Sequence, residues 1–170
     1  LVFLKFIMGF FVADNFFESW RYVPFLLLGV VFSSFSGFLG TNYIAAKKTS
    51  GVFKTSVIGA FINIIANITL IPIVGINGAT IGTALSFFTI WLLRIRDTKK
   101  FVNIKINAVK ITLTLFILLI QIGVLYQSPR FEPLLQGILL TSIISINFNE
   151  IKAVIKKVIA VTHKKYTVSK

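Results

Sequence analysis

The chain has 170 residues, a mean hydropathy of +0.89, 56% hydrophobic residues, and 18 Lys and Arg against 5 Asp and Glu. Only 14% of residues are charged, against about 25% in a soluble domain, and 18 phenylalanines with only 4 prolines exclude a disordered chain. The net charge of +13 raises nucleic-acid binding, but the charge clusters between long uncharged segments, which excludes that class.

Segments 22–46, 55–93, 111–129 and 133–149 contain no Asp, Glu, Lys or Arg. A bilayer-spanning helix needs about 17–25 apolar residues. The pattern therefore predicts an all-α, polytopic transmembrane helix bundle of about six spans. The first, 1–13, opens directly on LVFLKFIMGFFVA. Lys5 and the lack of a small-residue cleavage site fit a signal peptide poorly. The segment reads as the truncated remainder of a membrane helix, in the C-terminal piece of a longer protein.

The second span is placed at about 22–46 and the third at 55–74. As one helix, the 39 residues of 55–93 would reach ~58 Å, nearly twice the ~30 Å hydrocarbon core. A turn must break it, and Pro72, Gly75, Asn77 and Gly78 supply the turn residues. The fourth span then covers 76–93, the fifth 106–126 and the sixth 132–148. A basic tail, 149–170, follows. Its Ile151, Val154, Ile155, Val158 and Ile159 recur at helical spacing. The tail is either an amphipathic helix on an anionic leaflet or a solvated basic extension.

The connections alternate in charge. The loops around 47–54 and 94–110, with the tail, hold 15 of the 18 basic residues. The opposite connections hold only Arg21 and Arg130. The positive-inside rule puts the basic loops and the C-terminus in the cytoplasm. Trp20, Tyr22 and Tyr126 then fall at outer span ends, as an interfacial aromatic belt requires.

Small residues recur every fourth position in the second span, at Gly29, Ser33, Gly37, Thr41 and Ala45, and the fourth span carries Gly78-x-x-x-Gly82. Helices in lipid associate by close approach and polar contacts, which small residues permit. Such stripes are either static packing surfaces or seams that slide. Gly59, Asn63 and Asn67 share one face of the third span, and Gln121 sits inside the fifth. An amide in hydrocarbon must be paired or face a wet cavity, so both interhelical bonding and cavity lining stay open. Catalysis has little to work with. There is no cysteine, the single histidine (His163) lies in the tail, and all five acids lie outside the spans or at their edges. No metal site or cofactor motif is expected.

The run YVPFLLLGVVFSSFSGFLGTNYIAAKKT, then FINIIANITLIPIVGINGATIGTALS, resembles the C-terminal half of the polysaccharide-type flippases. These belong to the multidrug/oligosaccharidyl-lipid/polysaccharide exporter superfamily. Lys47, Lys48, Thr49, Asn63, Asn67, Leu70, Ile71, Pro72, Gly75, Ile76, Gly78 and Ala79 carry the likeness, which covers roughly 20–95. The resemblance implies a larger two-lobe transporter in a bacterial cytoplasmic membrane, this chain giving most of the second lobe. The missing N-terminal lobe and anionic lipids would be its partners, and a polyprenyl-pyrophosphate-linked glycan its substrate. The family's cavity tends to be cationic, yet no basic residue lies deep in a predicted span. Arg21 and Lys110, at opposite span ends, join Asn63, Asn67 and Gln121 as cavity candidates, with Pro72, Gly75, Gly78, Ala79 and Gly82 as turn and packing residues. A cation-coupled multidrug exporter of the same superfamily is the first alternative, and a membrane glycan polymerase or ligase a more distant one. Alone, the chain would form half a cavity and would not transport unaided.

Overall fold

The computed structural model describes residues 1–102 and 107–168, without the side chains of 157 and 160–168. Lys105, the start of the fifth span at 106 and Lys170 lie outside the described residues, as do the side chains of Lys157, His163, Lys164 and Lys165. Seven α-helices follow in order: α1 (Leu4–Phe11), α2 (Val23–Ala45), α3 (Thr49–Val74), α4 (Ile76–Thr98), α5 (Ala108–Gln127), α6 (Glu132–Ile146) and α7 (Phe148–Val168). A 3-10 helix (Asp14–Tyr22) leads into α2, and there is no strand among the described residues.

Among the described residues four helical stretches are long and apolar enough to cross a membrane: the 3-10 helix continued by α2, then α3, α4 and α5. A fifth is reached if α6 and the start of α7, bent by 66° at their junction, form one broken span. By itself α6 has 15 residues, or ~22 Å, and α1 has 8, or ~12 Å, both short of a ~30 Å core.

The chain divides into two units. In the first, α2, α3 and α4 pack together, with α1 and the 3-10 helix. Here α4 is central: 39% of its apolar window is buried against 11% for α3. Phe32 on α2 packs edge-on against Phe88 and tilted against Trp91 of α4, at 5.0 and 5.6 Å between ring centres. On its other side α3 presents Phe61, Ile65 and Ile68, at 62, 60 and 70% exposure. Such a stripe would be a liability in water and is the ordinary face of a helix in lipid.

The turn between α3 and α4 is shorter than the sequence suggests. α3 continues through Pro72 to Val74 and α4 starts at Ile76, so Gly75 alone separates them. Proline removes one backbone bond and crowds the preceding turn, and the helix ends two residues beyond it. Gly75 adopts φ 62° and ψ −142°, a region essentially reserved for glycine. At the other end, α3 begins at Thr49, six residues before its predicted start, and α4 runs on to Thr98. α2 closes in a Schellman motif: Lys48 N–H bonds Tyr43 O at 2.8 Å and Lys47 N–H bonds Ile44 O at 3.0 Å. Lys47 takes the left-handed position, with φ 56°.

The four-residue stripe on α2 is not the packed face. Gly37, Thr41 and Ala45 are exposed, whereas Gly29, Phe32, Ser36, Leu39, Gly40 and Tyr43 are buried. A spacing of four overshoots a 3.6-residue turn by ~40° per step, so the stripe walks off the interface. Trp20 is buried beneath the Lys5 ammonium, 4.6 Å from its ring centre.

The second unit holds α5, α6 and α7. α5 begins with the Asn107 side chain capping Lys110 N–H at 3.2 Å and ends on Ser128 at φ 44°. Lys110 Nζ pairs with Glu150 Oε1 at 2.6 Å, tying α5 to the first turn of α7, and Asn147 donates to Thr114 at 3.1 Å. On α7, Val154, Ile155, Val158 and Ile159 are exposed.

Candidate functional site

The α3–α4 hairpin brings the small residues of one helix against the amides of the other. At Gly78 an added Cβ would lie 2.5 Å from the Leu70 carbonyl carbon and 2.6 Å from Ile71 N, so backbone meets backbone there. One turn on, a Cβ at Gly82 would lie 2.7 Å from Asn67 Oδ1. Asn67 Nδ2 donates to Asn63 Oδ1 at 3.1 Å, and Asn63 Nδ2 reaches Thr83 Oγ1 at 3.5 Å. Asn67 Oδ1 is buried with no hydrogen-bond donor, facing the Gly82 backbone. Further along, Ser86 Oγ donates to Gly59 O at 2.7 Å. Asn63 and Asn67 therefore lie half-buried in the hairpin's own interface. Ala79 stands beside this line and its carbonyl accepts from Thr83 Oγ1 at 2.9 Å, while Pro72 is exposed in the last turn of α3.

The same line on α4 continues to a residue the sequence places in a loop. Gly78, Gly82, Ser86, Ile90, Arg94 and Thr98 are all buried at spacings of four. This stripe stays buried where that of α2 does not, because α4 has a neighbour on two sides. Arg94 is 6% exposed. Its Nε donates to Thr55 Oγ1 at 3.1 Å, Nη1 to Ser36 O at 2.7 Å, and Nη2 to Ser56 Oγ at 3.1 Å and Val52 O at 3.5 Å. One guanidinium thus joins α2, α3 and α4. Gly40 leaves the room: a Cβ there would sit 3.2 Å from Arg94 Nη1.

Every acceptor of Arg94 is neutral, and it makes no ion pair among the described residues. A cation inside an apolar bundle is costly, and its charge here is spread by hydrogen bonds rather than cancelled. Sequence reading missed it because a charge ends a hydropathy window. The available signal was periodicity, since Arg94 continues the Gly78–Gly82 line at the same four-residue step.

In the other unit Gln121 and Gln136 bond reciprocally across α5 and α6. Gln136 Nε2 donates to Gln121 O at 2.8 Å, and Gln121 Nε2 reaches Gln136 O at 3.5 Å. Gln121 thus meets a helix neighbour, and Lys110 meets Glu150 near the start of the same helix. Arg21 is exposed beside Glu18, 3.1 Å away, and over the Trp20 ring at 5.8 Å. Within each unit the predicted candidates take separate places. Asn63 and Asn67 share the α3–α4 seam with Gly78 and Gly82, Arg21 lies apart from them, and Gln121 and Lys110 belong to the other unit. No group of three His, Cys, Asp or Glu is placed to hold a metal among the described residues. No family model, curated protein or solved structure matches the chain.

Proposed function

We propose that this chain is one lobe of a transporter, not an enzyme, that carries polyprenyl-pyrophosphate-linked oligosaccharide or polysaccharide units across the bacterial cytoplasmic membrane by alternating access. One observation carries the reading. The ordered motif behind the flippase resemblance acts as a single physical interface. Asn63, Asn67, Leu70, Ile71 and Gly78 are scattered in sequence and meet in the α3–α4 contact. Gly75 makes the one-residue turn that brings them together.

Arg94 supports the same reading. A pyrophosphate substrate needs positive potential along its route, and a cation without a carboxylate partner keeps its field in a low-dielectric bundle. Arg94 lies four residues before the end of α4, on the side that also holds Lys47, Lys48, Lys54, Lys99 and Lys100. The positive-inside rule makes that side cytoplasmic, with the C-terminus. There its field acts on the glycan carrier before it crosses. An N-terminal lobe of the same protein completes the cavity.

Deleting the whole gene tests this. Lipid-linked glycan should accumulate on the inner leaflet, where surface labelling cannot reach it. Outward delivery at the wild-type rate contradicts the proposal.

A further inference from the structure

Where α2 stops and α3 starts, a pocket of about 220 Å³ opens between Tyr43, Ser50, Gly51, Phe101 and four charged side chains. The charges are Lys48, Lys54 and Lys100 against Asp97, a net +2. The single carboxylate is already engaged. Lys100 Nζ pairs with it at 2.9 Å and the Tyr43 hydroxyl donates to it at 3.3 Å. Lys48 and Lys54 have no carboxylate partner among the described residues. Lys48 Nζ is held 5.0 Å above the centre of the Phe101 ring.

The backbone builds this pocket deliberately. The Schellman turn at the end of α2 fixes Lys48 against Tyr43. Gly51 leaves space for the Tyr43 ring, which a Cβ would overlap. α3 then starts with no side-chain cap: Gly51 N–H bonds Lys48 O at 3.0 Å, and the helix start carries partial positive charge. The pocket and its lysines carry the inference, and the helix start adds to it.

We infer that this pocket binds a phosphate group. Lysines are point-charge phosphate binders, and excess cations at a concave site gather anions. The volume is below the ~300 Å³ of pockets that hold drug-sized molecules, which suits a phosphate and not a whole nucleotide. The group comes either from the headgroup of an anionic lipid, since the pocket lies at the ends of membrane-length helices, or from free phosphate. The site is independent of what the protein transports.

The test uses the full purified chain, ¹⁵N-labelled, in neutral detergent. Inorganic phosphate, short-chain phosphatidylglycerol and short-chain phosphatidylcholine are titrated separately while the Ser50 and Gly51 amides are followed. Saturable shifts with phosphate alone assign a soluble ligand. Shifts with phosphatidylglycerol alone assign a lipid headgroup, and shifts with both assign the phosphate group as such. Phosphatidylcholine should leave the amides unmoved. K48Q/K54Q should weaken binding about thirtyfold and K54Q alone about fivefold, from the attraction each lysine gives near an anionic surface. K54Q changes one exposed side chain, so it keeps the test open if the double variant misfolds. No saturable shift with either anion, a response to phosphatidylcholine equal to that with phosphatidylglycerol, or unchanged affinity in folded K54Q overturns the inference.

Discussion

The two units solve one problem in different ways. Both must place polar side chains inside apolar helices. In the α5–α6 pair each glutamine side chain donates to the other's backbone carbonyl, a neutral arrangement between two helices that leaves Gln136 Oε1 without a partner among the described residues. In the α2–α4 unit a single arginine on α4 spreads its charge over neutral acceptors from α2 and α3, with Gly40 cut back to admit it. A neutral pair needs only its partner, whereas a buried cation needs a whole junction around it. The first is ordinary helix glue. The second is an expensive arrangement, because the charge is desolvated with only neutral partners.

Substitutions should separate the two units, the largest effect coming first. Arg94→Ala removes every tie of the junction and leaves four acceptors facing a void. It should cost about 3 kcal/mol in detergent unfolding of the purified chain. Arg94→Lys keeps the charge but not the fork, and should recover part of that loss. Gly78→Val forces a side chain into the Leu70–Ile71 backbone and should cost about 2 kcal/mol, read as a lower unfolding midpoint. A double-mutant cycle between Gln121→Leu and Gln136→Leu should give a coupling of only about 0.6 kcal/mol. A coupling above the loss in Arg94→Ala would reverse the ranking of the two units.

The smallest effect is a pH dependence. Lys110 holds the exposed Glu150 carboxyl below the usual carboxylate range through their hydrogen bond. A depressed pKa gives stability that is present above the unfolded-state value and is lost as pH falls through the folded one. The α5–α7 tie should therefore weaken on acidification. Amide exchange in the first turn of α7 should rise at low pH, and Glu150→Gln should abolish that rise.

Much of the hairpin was legible in the sequence because bilayer length forbids a single helix over 55–93 and only glycine takes the conformation found at Gly75. The line from Gly78 to Gly82 was legible for the same steric reason. The packed face of α2 was not, because spacing by four mimics a helical face over two turns and drifts from it over four. Arg94 was not legible from hydropathy, which scores a charge without asking what surrounds it. Its acceptors Thr55 and Ser36 lie 39 and 58 residues away along the chain, so no local window contains the junction. The Gln121–Gln136 pair was half visible, since Gln121 announced a need for a partner without naming it.

Reconstitution tests the transport proposal most directly. The protein, with the N-terminal lobe that the proposal assigns to it, is placed in vesicles carrying polyprenyl-pyrophosphate-linked oligosaccharide on one leaflet only. Appearance of glycan on the opposite leaflet is followed by an added lectin or glycosidase. The proposal predicts protein-dependent transfer, slowed in Arg94→Ala protein shown to be folded. Transfer no faster than in protein-free vesicles would contradict it.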